Sequence, residues 1–206
     1  MGKFFNTLLK PAKWILIIGS LVYATWFVVQ TAGSITGTFM GVVCNLIILI
    51  VGAALLFSVP ILVLFKKNDM AKIAFFILAG YWIISTTRSM FGYAINYCIE
   101  GAPGAAIAGG VFAFITGLCL VGVLALIIVE FVAKKPALRL FAFFAFFGVI
   151  LFALLTGILL FAGLVEASEY LGWARVANLL VEYLLVPTTV CFGVLYFFGA
   201  PKGKGE

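Results

Sequence analysis

Six apolar runs, at about 14–30, 39–65, 73–95, 105–132, 140–165 and 174–198, leave this chain little freedom of fold. A helix needs about 20 apolar residues to cross the ~30 Å hydrocarbon core of a bilayer. In lipid, only helices and closed barrels satisfy all of their own backbone hydrogen bonds. No break between the runs exceeds about ten residues, so successive helices must double back on one another. Hydrophobic residues make up 66% of the chain and charged residues 10%, against about 25% charged in a soluble domain. The expected fold is all-α: a polytopic integral membrane protein, a bundle of six transmembrane helices. A single domain over 14–198 lies between an N-terminal segment, 1–13, and a tail, 199–206.

Charge placement sets the expected orientation. With six spans, Lys3, Lys10, Lys13, Lys66, Lys67, Lys72, Lys134, Lys135, Arg139, Lys202 and Lys204 all fall on one side, eleven of the thirteen basic residues. Loops on the other side hold Glu100, Glu166 and Glu169, with Arg175 at the membrane edge. The positive-inside rule then makes both termini cytoplasmic. One span more or fewer would scramble this pattern.

The basic residues edge hydrophobic runs and are not interleaved with exposed aromatics, so nucleic acid is not an expected partner. Ile15–Val29 lacks an A-x-A cleavage site and reads as a retained first span. Residues 1–13 read as a short interfacial helix ending at Pro11, with lysines reaching headgroups. Pro60 should kink the second span and Pro187 the sixth, each freeing the carbonyl four residues earlier. Cys44, Cys98, Cys119 and Cys191 have no CxxC spacing and read as buried thiols. The segments 66–80 and 134–148 look alike, a weak hint of a duplicated hairpin.

Histidine is absent, and the single aspartate, Asp69, lies among lysines. That removes His-ligated metal or haem, His-based triads and paired-Asp metal chemistry. P-loop and GxGxxG phosphate cradles are missing. No enzyme, cofactor or metal is expected.

Two features remain. Ala105, Gly109, Ala113 and Gly117 recur every fourth residue, a small-residue face that lets helix backbones approach closely in lipid. Internal packing is the simpler use of it; contact with a partner subunit or a second copy is the other. Arg88 and Glu182 are charges inside spans, each costing about 3 kcal/mol to insert alone. Each lies four residues beyond its span's midpoint toward the lysine-poor side, about 6 Å at 1.5 Å per residue. They share a depth, and an ion pair is the economical arrangement. Tyr81, Ser85, Ser89, Gly92 and Asn96 share a face with Arg88, and Asn178, Thr189 and Gly193 share one with Glu182.

Two functions follow as expectations. One is a non-catalytic integral membrane subunit or scaffold acting through lateral helix contacts. The other is a small transporter or channel subunit with a polar intramembrane site built from Arg88, Glu182, Asn178, Ser85 and Tyr81.

Overall fold

The computed structural model describes residues 2–35, 37–99, 104–133, 138–166 and 172–199. Each apolar run forms a helix, and no strand occurs among the described residues. In order these are α1 (Gly2–Gly33), α2 (Phe39–Leu64), α3 (Asn68–Ile99), α4 (Gly104–Ala133) and α5 (Leu138–Glu166). The sixth helix consists of α6 (Trp173–Leu180), a π-helical turn (Val181–Leu185) and α7 (Val186–Gly199), joined end to end. Among the described residues, five of the six are long and apolar enough to cross a membrane, and the part of α5 so described is the apolar stretch Gly148–Gly163.

Helix ends follow local chemistry. Thr38 caps α2, its hydroxyl accepting from the Gly41 amide at 3.4 Å. Gly37 supplies the positive φ of +111° that the turn before it needs. At the other end of α2, the Lys67 amide donates back to the Leu62 carbonyl at 2.9 Å, with Lys66 left-handed at φ 58°. That is a Schellman-type stop made without glycine. One expected end is corrected: α1 does not stop at Pro11 but runs through it. A proline costs one hydrogen bond, here to the Thr7 carbonyl. Spanning helices tolerate that where neighbours or hydroxyl side chains re-satisfy the freed group.

Every consecutive pair packs antiparallel, and α7 returns to α1, closing a ring. The ring is pinched where α3 meets α7. There Phe75 fits against Gly193 and packs tilted against the Phe197 ring, centroids 5.3 Å apart, and Lys72 Nζ sits 4.5 Å from the centroid of the Phe198 ring. The Tyr196 hydroxyl donates to Asn68 Oδ1 at 3.3 Å at the same end. The pinch divides the interior into two compartments.

The compartment between α3, α4, α5 and the π turn is filled. Met90, Ala113, Leu160 and Tyr183 form its core. Gly109 takes Leu159 and Leu160 of α5, while a Cβ on Gly117 would stand 3.0 Å from the Phe91 ring of α3. The small-residue face is therefore occupied within the chain, by two different neighbours, and Ala113 between them is fully buried.

Thr116 and Thr156, both buried, face each other across α4 and α5 with hydroxyls 3.3 Å apart. Each hydroxyl also lies 2.8 Å from a carbonyl of its own helix, Phe112 O and Phe152 O; with one proton apiece, one donates across the pair while the other donates to its helix. Hydrogen bonds between membrane helices average about 0.6 kcal/mol, with a maximum near 1.7. Thr116→Val should therefore cost under about 1 kcal/mol, because Thr156 keeps its intrahelical acceptor. Thermal unfolding in detergent of Thr116→Val, Thr156→Val and the double variant checks this, with the double variant close to either single one.

The turn at 100–103, the Lys134–Lys135–Pro136 loop, Glu169 and the tail from 200 onward lie outside the described residues. So do the side chains of Cys98, Glu130, Arg139 and Glu166.

Candidate functional site

The second compartment, between α1, α2, α3 and α7, is not filled. It holds a partly open cavity of about 450 Å³, within the 300–1,000 Å³ usual for small-molecule sites. Ser20, Tyr23 and Phe27 of α1 form one wall, and Val186, Thr189 and Val190 of α7 a second. Stretches of α2 between Ile47 and Val59 and of α3 between Phe75 and Trp82 complete it. The walls are largely aliphatic, with hydroxyls from Ser20, Tyr23, Tyr81 and Thr189. Thr189 already donates to Leu185 O at 2.7 Å.

Glycines hold the walls in place. Gly19 of α1 lies so close to Thr189 that no side chain fits between α1 and α7. Gly52 of α2 receives the Phe27 ring, 2.6 Å from where a Cβ would stand. The mouth follows from how α2 packs. Its buried residues are Leu56, Val59, Pro60 and Val63, all near its lysine-bearing end, and none lies earlier in the helix. Its first half therefore stands away from α3. Ile47, Ile48 and Val51 on one lip, and Ile77 and Tyr81 on the other, are all exposed.

The π turn sits beside this cavity, immediately before Pro187. The Val186 amide bonds the Val181 carbonyl, five residues back. A proline lacks an amide and its ring crowds the carbonyl four residues earlier, here Tyr183. A wider turn relieves that contact, and such turns are frequent at functional sites. The extra residue also lets two packing contacts coexist: Tyr183 against Gly157 of α5, and Thr189 against Gly19 of α1.

Glu182 lies in this turn and is exposed. Tyr23 is within electrostatic reach of both Glu182 and Tyr81, so carboxylate and phenols gather at the upper edge of the cavity. Asn178, one turn earlier, is half-buried. On α3, Tyr81, Ser85, Arg88 and Ser89 are all exposed, and the Ser89 hydroxyl donates to Ser85 O at 3.2 Å. Arg88 and Glu182 do not meet: among the described residues no ion pair joins them. Glu182 lies instead near Tyr23 of α1.

Three residues that sequence reasoning missed belong to the site: Tyr23, Ser20 and Trp82. Tyr23 carried a faint signal, a phenol inside a span. Cys119 is half-buried and Cys191 buried, whereas Cys44 is exposed, which corrects the expectation that it is buried. Its place on the open half of α2 explains the difference. No family model matches the chain, and neither the curated proteins nor the solved structures provide a match.

Proposed function

We propose that the chain is a six-span integral membrane protein, both termini cytoplasmic, that binds and transfers a small membrane solute through the four-helix cavity. This is the transporter reading, with its site moved from an Arg88–Glu182 pair to the space between α1, α2, α3 and α7. The observation that carries it is the unfilled cavity beside an interrupted helix that bears a carboxylate. Interrupted helices next to intramembrane charges are where transporters commonly bind ions and substrates, and intramembrane ionisable groups are functional suspects by default. The subunit or scaffold reading, with a membrane protein partner or homo-oligomer, loses its main support, since α3 and α5 occupy the small-residue face. Orientation rests on the distribution of lysines about the spans.

Gentle extraction from the native membrane followed by mass measurement tests this. The expected species is the chain alone, or a small homo-oligomer, carrying non-protein mass that is lost in Val51→Phe, a substitution at the exposed lip of the cavity. A hetero-complex of fixed stoichiometry without bound small molecules would return the subunit reading to first place.

A further inference from the structure

The geometry points to a single-chain amphiphile with an anionic head as the ligand of this cavity, entering sideways from the bilayer between the first half of α2 and α3. The inference rests on the cavity being the binding site and names what it takes and by which route. Its walls suit an apolar chain. A water-soluble solute would bury polar groups against aliphatic side chains with few hydroxyls to meet them, which is costly. The mouth is lateral because its two lips are exposed isoleucines and Tyr81, and α2 buries nothing before Leu56. A chain dissolved in the bilayer can pass there without crossing water.

The head follows from charge. Tyr81, Ser85 and Arg88 stand at i, i+4 and i+7, one exposed stripe of α3 rising about 10 Å from the mouth. Arg88 has no ion pair among the described residues, and its guanidinium matches carboxylate or phosphate with two parallel hydrogen bonds. Glu182, in the π turn near Tyr23, repels an anion and so turns the head toward Arg88. Carboxylate and phosphate monoester heads share this chemistry.

Trp82 lines the cavity and reports on its occupancy. Trp14, Trp26 and Trp173 are replaced by Phe, and the otherwise full-length protein is placed in phosphatidylcholine vesicles. Three brominated quenchers are then titrated: a dibromo fatty acid, a dibromo lysophosphatidate and a dibromo lysophosphatidylcholine. Both anionic probes should quench Trp82 saturably, with half-saturation at least tenfold below that of the zwitterionic probe. Arg88→Gln should erase that preference, and Val51→Phe should abolish saturation for all three. Quenching by only one anionic probe identifies the head, carboxylate or phosphate, and supports the assignment. Equal half-saturation for all three, unchanged in Arg88→Gln, overturns the anionic head. Quenching that only grows linearly with each probe overturns lateral chain binding. If bound mass lost in Val51→Phe is nevertheless found after extraction, the cavity remains the site and only this ligand class falls.

Discussion

Gly19→Leu should prevent the ring of helices from closing. Gly19 packs directly on Thr189, and Leu16 and Phe75 crowd Gly193 one turn further along the same α1–α7 seam. Both backbones are held at this distance by buried neighbours, Leu16 and Ile17 on one helix and Val190 and Val194 on the other. Any side chain there starts from a Cβ that overlaps the Thr189 hydroxyl, so one of the two must move. Overpacking a close-packed interior costs about 1–3 kcal/mol, occasionally more, and a contact with so little slack belongs at the upper end. In lipid, helix association rests on packing, because the bilayer solvates apolar side chains as well as the protein does; no hydrophobic gain offsets the clash. The matched control is Gly122→Leu on α4, where a Cβ meets nothing within 4 Å and the added side chain points into open space. The midpoint temperature of heat-induced aggregation in detergent should fall steeply for Gly19→Leu and stay within experimental scatter of wild type for Gly122→Leu. Equal midpoints for the two would mean that α1 and α7 are not packed as described.

These seams explain what the sequence could and could not convey. Helix number and approximate ends were legible because an apolar run of bilayer length has one stable backbone solution. The face of α4 was legible because four small residues at one spacing define a direction without reference to a partner. Gly19 and Gly193 were not, since a solitary glycine acquires meaning only once its neighbouring helix is known. Depth along a helix can be counted from sequence at 1.5 Å per residue, and that count puts Arg88 and Glu182 level. Azimuth cannot be counted through a π turn, because one extra residue rotates everything beyond it by about 100°. The pair that an unbroken helix led one to expect is absent from the described residues, and Glu182 lies near Tyr23 instead. The cavity left no mark on the sequence, since it is defined by side chains that fail to meet across four helices.

Deleting Leu184 should be far more damaging than truncating it or than removing the proline that follows. Leu184 is exposed, so Leu184→Ala should stay within about 1 kcal/mol of wild type. Deletion turns the π turn into an ordinary α-turn and rotates the helix before it by about 100° relative to α7. Two anchors then become incompatible. Either Tyr183 leaves Gly157, where their β-carbons would stand only 2.8 Å apart, or Thr189 leaves Gly19. Losing a buried aromatic contact costs about 3 kcal/mol or more, and if Tyr183 is the anchor that gives way, Glu182 turns away from Tyr23 with it. Pro187→Ala, by contrast, removes the steric cause of the wide turn but leaves both anchors, so packing should keep the π turn and stability should change little. Thermal midpoints of the three variants separate the two origins of the turn. If Pro187→Ala proved as destabilising as the deletion, the proline itself would be maintaining the interruption. If the deletion were neutral, neither anchor would be fixing the register, and Glu182 would have no defined place at the cavity.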